Sequence, residues 1–325
     1  METYIVTANY NGEKFLEKYF NSIFNQSYTN FGIIFVDNSS NDNSVSFIQK
    51  IYPKEVKNKK IEILKNNENY GFAKANNQGI DKAFEDPECK YIICLNNDTE
   101  INKDFLEKLV LTAEKYPNTG SIQSKMIWGQ NTSLINSVGI EYSIYGINIS
   151  RGAYKNVNDY NREEEIFGPC AGACLYKKES LKDIAIDGMY FDEDFFAYFE
   201  DTDLALRLRW AGWTCWYSPD ATVIHFTGGT SKNIDGFTVY HHWRNSVWTM
   251  VKNLPKNFII KHIILILIFE VIQIILCLTR KEHIIIKSKW DSYKNIGKFR
   301  KKHVKIPKKI HFNDLKRWFV LRWKS

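Results

Sequence analysis

Tyr91-Ile92-Ile93-Cys94-Leu95-Asn96-Asn97-Asp98-Thr99 sets five apolar residues against an abrupt polar end. An apolar run of this length suits a strand buried on both faces. Its end places one carboxylate among two amides and a hydroxyl, which is what a plain turn would also use, since Asn and Asp tolerate left-handed backbone and bond to their own main chain. The surrounding pattern separates the two readings. Tyr4–Ala8 precedes a helical spacing of Phe15, Leu16, Tyr19, Phe20, Ile23 and Phe24. Ile33–Val36 precedes a helix at 44–51, Ile61–Leu64 one at 72–84, and Tyr91–Leu95 one at 105–116. Four strand–helix units in about 115 residues predict a mainly parallel sheet covered by helices on both faces. Ligands of such sheets bind outside the carboxyl ends of the strands. Those ends read Asn9–Gly12, Asp37–Ser40, Asn66–Gly71 and Asn96–Asp98, and all four are polar. The polar end after Leu95 therefore belongs to a set of tips expected to converge on one crevice.

Beyond these units, residues 119–167 show short β-like pieces and Gly/Asn breaks and are expected to form edge strands and loops. A strand at 174–176, a helix near 199–211 and a strand at 214–217 follow. The helix opens with Glu200, Asp201 and Asp203. Acids in a first turn favour the helix dipole and cap free N–H groups, and Asp203 with Arg207 has the spacing of a surface ion pair. The aromatic run Phe195–Phe199 just before them would also desolvate a carboxylate and make it a better proton acceptor. His225 ends a strand and is followed by Gly228-Gly229, a loop type that lets backbone approach a phosphate, with hydroxyls on Thr227, Thr230 and Ser231.

Seven segments in order resemble the inverting family-2 glycosyltransferases of the GT-A fold, and within them the rhamnosyltransferase-like branch. They are VTANYNG (6–12), VDNSSNDNS (36–44), NYGFAKANNQGI (69–80), LNNDT (95–99), GPCAGACLY (168–176), FFAYFEDTDLALRLRWAGW (195–213) and HFTGGTS (225–231). The resemblance implies an α/β GT-A, Rossmann-like sheet flanked by helices, and a nucleotide-sugar donor. It makes Asp37 the acid that holds the nucleobase, with Thr7, Asn9 and Asn11 near base and ribose. Asn69, Phe72, Lys74 and Asn76 become a second nucleotide-contacting segment. Asp98 resembles the last acid of the DxD motif, a ligand to Mg²⁺ or Mn²⁺ on the diphosphate, and His225 a further metal ligand. Asp201 resembles the catalytic base, with Glu200 orienting the acceptor. The chain departs from the pattern at Asn96, where an acid is usual; Asn96 and Asn97 then bond ribose or diphosphate as amides. Tyr240–Asn245 resembles the junction where an acceptor phosphate is met.

Charge divides the chain. Residues 251–325 hold 19 Lys and Arg against 4 Asp and Glu, while residues 1–250 hold 25 against 33, so a body of −8 carries a tail of +15. Such a tail fits a polyanionic partner, either nucleic acid or an anionic membrane surface. Phe258–Arg280 is a 23-residue apolar stretch, long enough to span a bilayer. His262, Glu270, Gln273, Cys277 and Arg280 nevertheless fall within about 80° of a helical wheel, and a span would export Lys281, Lys287, Lys289 and the Lys298–Lys302 cluster against the positive-inside rule. A helix lying in the inner leaflet is expected, with Trp290, Trp318 and Trp323 at the headgroups; a buried core helix or homo-oligomer interface is the alternative.

The organisation expected is a catalytic domain at 1–250 and a basic, amphipathic, helical membrane-association region at 251–325. Met1-Glu2-Thr3 leads directly into a strand without the segments of a secretory leader, and the six cysteines lack paired CxxC spacing. These features fit a reduced protein without structural zinc at the cytoplasmic face of the cell membrane. The function expected is transfer of a sugar, L-rhamnose from dTDP-rhamnose, to a lipid-linked or polysaccharide acceptor in cell-surface glycan synthesis, with no nucleic acid bound. Two rivals are a nucleotidyltransferase on a related sheet, whose basic Gly-rich loop Asn9–Gly12 does not supply, and a non-catalytic nucleic-acid-binding protein using the tail.

Overall fold

Alternate residues of the first parallel strands bury against opposite helical layers, which is why those strands are largely apolar on both faces. The computed structural model describes residues 1–227 and 235–322. It begins β1 (Thr3–Asn9), α1 (Glu13–Phe24), β2 (Phe31–Asp37), α2 (Ser44–Ile51), α3 (Pro53–Lys57), β3 (Ile61–Lys65), α4 (Gly71–Phe84), β4 (Tyr91–Leu95), β5 (Thr99–Ile101) and α5 (Phe105–Lys115). Ile5, Ile33, Phe35 and Ile93 pack with Tyr19, Phe20, Phe105 and Leu109 on one face. Val6, Ile34, Val36 and Ile92 pack with Ala73, Ile80, Leu204 and Leu208 on the other. At Gly79 a Cβ would lie 2.3 Å from Val6 Cγ1, so α4 sits on β1 only because that residue has no side chain.

The chain continues with β6 (Thr119–Trp128), β7 (Asn131–Ser137), β8 (Ile140–Ser143), β9 (Asn148–Ser150), β10 (Glu164–Glu165), β11 (Ala173–Lys177), α6 (Lys178–Ile184), α7 (Glu200–Trp210) and β12 (Thr214–His225). The main sheet runs β10-β12-β6-β11-β4-β1-β2-β3. β11 opposes both β4 and β6, while β6 and β12 are parallel to each other. β1, β2, β3, β4, β6 and β12 thus run one way, and their carboxyl ends share one edge of the sheet.

Two expectations are corrected here. β6 is an inner strand, not an edge piece: Ser121, Gln123 and Ser124 are fully buried. Their polarity, which concealed the strand, is spent inside, with Ser124 Oγ donating to Ala173 O at 2.6 Å and Gln123 Oε1 accepting from Cys170 N at 2.6 Å. β12 is also one strand where two were expected, at 214–217 and just before His225, because Pro219 and Asp220 sit in a register shift against β6 instead of separating them.

The carboxyl-terminal part comprises α8 (Phe237–Asn253), α9 (Lys256–Thr279), α10 (Ile284–Lys294), α11 (Ile296–His303), α12 (Phe312–Lys316) and β13 (Phe319–Val320). α8 runs without a break through position 250, where a domain boundary was expected, and β13 pairs with β8. All six cysteines are unpaired.

Asp203 and Arg207, expected as a surface pair, lie in the interior. Arg207 Nε is 2.9 Å from Asp203 Oδ2, Lys252 Nζ is 2.8 Å from the same oxygen, and Asn253 Nδ2 donates to Oδ1 at 2.8 Å. Lys252 also reaches Asp192 at 2.8 Å, and Lys302 bridges Asp192 at 2.6 Å and Asp194 at 2.7 Å. Burial by itself would raise the Asp203 carboxyl, but Lys252 and Arg207 outweigh it and hold the group below its ordinary range. Lys252→Met leaves two buried carboxylates short of their cation and is expected to cost about 3–5 kcal/mol in urea unfolding; pairing it with Asp203→Asn should recover part of that loss.

Candidate active site

Each polar tip at the shared sheet edge is held by its neighbour. Asn9 Nδ2 donates to Asp37 Oδ1 at 2.9 Å, Ser40 Oγ to the same oxygen at 2.6 Å, and Ser40 N to Asp37 Oδ2 at 3.0 Å. Asn97 Nδ2 donates to Asn9 Oδ1 at 2.6 Å. Gly12 passes so close that a Cβ there would fall 2.1 Å from Asn97 Nδ2. Asn11 joins the same group, with Oδ1 accepting from Asn41 N at 2.8 Å. The tips of β1, β2 and β4 are therefore one hydrogen-bonded surface.

The second segment expected to contact the nucleotide flanks it. Asn69 Oδ1 accepts from Gly71 N at 2.9 Å at the start of α4, and Lys74 Nζ lies 3.8 Å from the Tyr70 ring centroid. Phe72 is half-buried near Phe191. Two expected contacts lie beneath the surface: Thr7 is fully buried with its hydroxyl on Tyr19, and Asn76 is buried with its amide on Phe72 O at 2.9 Å.

β12 lies between β5 and β6, and this pairing carries His225 to Asp98. His225 is in register with Thr99 on β5 and with Trp128 on β6. His225 Nε2 is 3.1 Å from Asp98 Oδ1, and Nδ1 is 3.0 Å from Asn136 Oδ1. The imidazole thus lies between an amide and a carboxylate, each within hydrogen-bond distance of one ring nitrogen. In the tautomer with its proton on Nδ1, the imidazole and the carboxylate are a donor set that fits a divalent ion completed by phosphate oxygens and water. Among the described residues no group of three His, Cys, Asp or Glu side chains is gathered for a metal. With Asn96 in place of an acid, Asp98 and His225 are the two candidate ligands. Asn136 gave no signal in the sequence. Gly228, Gly229, Thr230 and Ser231, singled out there, lie outside the described residues.

Asp201 enters through the loop before β11. Asn96 N donates to Gly172 O at 2.9 Å, and Ala171 N donates to Asp201 Oδ2 at 3.4 Å. Thr202 N donates to Asp201 Oδ1 at 2.6 Å, and Asn148 Nδ2 holds the Thr202 hydroxyl at 2.9 Å. The approach to α7 is strained: Phe196, Tyr198 and Phe199 have φ of 66°, 67° and 70°. Asn245 Nδ2 anchors that turn on the carbonyls of Phe195, Ala197 and Tyr198 at 3.0, 2.9 and 2.7 Å. Burial pushes the Asp201 carboxyl up, with the Ala171 and Thr202 N–H groups pulling it partly back. Burial and then the Asp201 charge push Glu200 well above the usual carboxylate range, and its Oε2 is buried without a partner among the described residues.

Arg244, in the junction where an acceptor phosphate was expected, turns inward and donates to Phe195 O at 3.0 Å. His241 stacks on Phe196, and burial, followed by the Arg244 charge, lowers it to about 4. Neither presents a charge to the crevice.

The profile of glycosyl transferase family 2 matches residues 4–185, more than half the chain. The chain is a family 2 glycosyl transferase. This membership decides between sugar transfer and the two rivals, nucleotidyl transfer and nucleic-acid binding. The N-acetylglucosaminyl-diphospho-decaprenol L-rhamnosyltransferase of Mycobacterium tuberculosis is 24% identical to this transferase over 257 residues, 73% of this chain and 80% of that one. An uncharacterized glycosyltransferase of Haemophilus influenzae is 36% identical over 104 residues, 32% of this chain and 39% of its own length. Among solved structures, S. aureus TarS 1-349 in complex with UDP-GlcNAc has a TM-score of 0.54 at 17% identity, covering 79% of this chain and 68% of that one. GalNAc-T7 with UDP, GalNAc and Mn²⁺ has a TM-score of 0.58 at 14% identity, covering 81% and 54%. The fold is GT-A, as expected.

Glu200 holds its proton more tightly folded than unfolded. Its favourable contribution is complete below the ordinary glutamate value and is lost as pH rises through the raised folded one. Glu200→Gln should therefore raise Tm at pH 7–8, by of order 1 kcal/mol or more of stability, and change it little at pH 4; a stabilisation equal at both pH values would contradict the buried, protonated carboxyl.

Proposed function

We propose that this transferase moves a sugar from a nucleoside-diphosphate donor to a hydroxyl of a lipid-linked or polysaccharide acceptor with inversion at the anomeric carbon, and that the donor is dTDP-L-rhamnose. The observation that carries the reaction class is the chain of contacts joining Asp37, Asn9, Asn97, Asn96, Gly172, Ala171 and Asp201 along one sheet edge, with Asp98 and His225 beside it. The L-rhamnosyltransferase name of the mycobacterial relative supports the sugar and a diphospho-lipid acceptor.

In this reading Asp37 and Asn9 bind the nucleoside, Asn11 and Asn97 the ribose, and Asn69, Phe72 and Lys74 the second side of the nucleotide, while Thr7 and Asn76 support the surface from beneath. Asp98 and His225 would hold Mg²⁺ or Mn²⁺, which supplies charge neutralisation for the departing diphosphate. Asn96 bonds a diphosphate oxygen as a neutral amide. Asp201 takes the proton of the acceptor hydroxyl while that oxygen attacks the anomeric carbon and the bond to the diphosphate breaks on the opposite face. One displacement by one base inverts the centre. Glu200, protonated, donates a hydrogen bond that orients the acceptor.

The protein sits on the cytoplasmic face of the cell membrane through α9. Among the described residues it is the one helix long and apolar enough to cross a bilayer. The polar stripe faces the protein: Glu270, Gln273 and Cys277 are buried, and Glu270 Oε2 pairs with Lys289 Nζ at 2.5 Å. The aliphatic side, with Ile260, Ile264, Leu267, Ile268, Val271 and Ile275, faces outward. This inverted polarity supports an in-plane anchor over a span, because a span would leave Glu270 and Lys289 beside lipid. The basic tail contributes less than its charge suggests. Lys289 is buried, Lys298 and Lys302 are spent on Asp192 and Asp194, Trp318 packs under the Arg209 guanidinium, and Trp323 lies outside the described residues. Trp290, at 70% exposed, remains for the headgroups.

Three outcomes are expected. In a panel of UDP-, GDP- and dTDP-sugars, dTDP-rhamnose should give the largest thermal stabilisation and hydrolysis; preference for a UDP-sugar would overturn the donor assignment. Asp201→Asn should lower transfer about 10²–10⁴-fold with donor binding retained, and undiminished turnover would remove Asp201 from the base role. Ile264→Glu with Ile268→Glu should release the protein from anionic phosphatidylglycerol vesicles in flotation, whereas unchanged flotation would dismiss α9 as the anchor.

A further inference from the structure

Two local rules are broken side by side at the carboxyl end of β6. Tyr154 has φ 63°, a left-handed backbone that a bulky side chain rarely adopts, yet its ring is 66% exposed. It is held there rigidly: Tyr154 N donates to Ile135 O at 2.9 Å, and Ile135 N donates to Lys155 O at 2.8 Å. The ring stacks on Trp128, centroids 5.3 Å apart and planes 21° from parallel. Beneath it the Trp128 indole N–H is buried with no hydrogen-bond partner among the described residues, a cost that a phenylalanine would avoid. Strain and an orphaned donor kept together under an exposed aromatic face are the pattern of a functional surface, not of a packing contact.

Its place is also specific. Trp128 is the last residue of β6 and stands in register with His225 on the adjacent parallel strand, about 4.8 Å away between backbones, and Gly129 N donates to His225 O at 2.9 Å. The aromatic pair therefore lies on the same sheet edge as the nucleotide tips, at the end of β6, with β12 and His225 between it and the β5 strand that follows Asp98. A donor laid from Asp37 to Asp98 ends at that pair.

We propose that Tyr154 and Trp128 form a platform for a pyranose ring of the acceptor glycan, which rests on the sugar-transfer reading above. A pyranose presents one face of C–H groups that packs on an aromatic plane while its hydroxyls stay in water. A rigid ring loses little entropy on binding such a face.

The test uses the full-length protein and two probes, methyl N-acetyl-β-D-glucosaminide and methyl α-L-rhamnopyranoside, read by saturation-transfer difference NMR. Tyr154→Gly removes the ring and relieves the left-handed strain, so its Tm should hold or rise. Expected is saturation of the ring C–H protons of at least one glycoside by the wild type, reduced fivefold or more in Tyr154→Gly and in Trp128→Leu. Stabilisation by UDP or dTDP with Mn²⁺ should be unchanged in both. Equal saturation in Tyr154→Gly, or none from either glycoside with the wild type, would overturn the platform. Absence of nucleotide stabilisation in the wild type would count instead against sugar transfer, and the glycoside signal would still decide the platform.

Discussion

Asp203 is a carboxylate with no access to solvent that accepts from Arg207, Lys252 and Asn253 at once. Its position is two residues after Asp201 on α7, and two of its three partners lie on α8, so the helix that carries the candidate base is located by charge as much as by packing. A buried pair of this kind is a weak source of net stability and a strong constraint on geometry, since any displacement strands a charge in the interior. The constraint spreads outward through Lys252 and Lys302 to Asp192 and Asp194, and through Asn245 to the left-handed turn at Phe196–Phe199. The negative body and positive tail implied by composition meet chiefly here, inside the molecule.

The opposite half of the site depends on strand direction. Six long strands end on one edge, so residues far apart in the chain meet without any loop having to reach across the sheet. That edge is polar because each tip satisfies its neighbour: Asn9 serves Asp37 and Asn97, and Asn136 fixes the ring of His225. The residues of this edge are therefore held before any ligand arrives, and a site with fixed dipoles loses little free energy to reorganisation.

The parallel units were legible because their apolar runs are long and their helices keep a 3.6-residue spacing; α2 and β4 fall on the residues expected. The convergence of the polar tips followed from strand direction alone. β6 escaped because Ser121, Gln123 and Ser124 look solvent-facing until their partners are known, and the two halves of β12 were read as separate strands because the register shift at Pro219 and Asp220 joins them only in the fold. The stripe on α9 was read in the right residues with the wrong surroundings: periodicity gives which side chains share a face, and nothing in it says whether that face meets water or a neighbouring helix. Lys289 and Lys302 were assigned outward on the same ground, as their carboxylate partners are distant in sequence. Asn136 could not be found at all, since an Asn in a polar strand is indistinguishable from its neighbours until the fold sets it against an imidazole.

The distance along the chain between Asp192 and Lys302 has a consequence for biogenesis. Lys302 follows Asp192 by 110 residues and Lys298 follows Asp194 by 104. During vectorial synthesis the nucleotide half, α7 and the aliphatic helix α9 all leave the ribosome before those two lysines do. The segment before α7 thus receives its last clamps only after α9 has emerged, so a ribosome-bound intermediate already exposes an aliphatic helix while the approach to Asp201 is not yet secured.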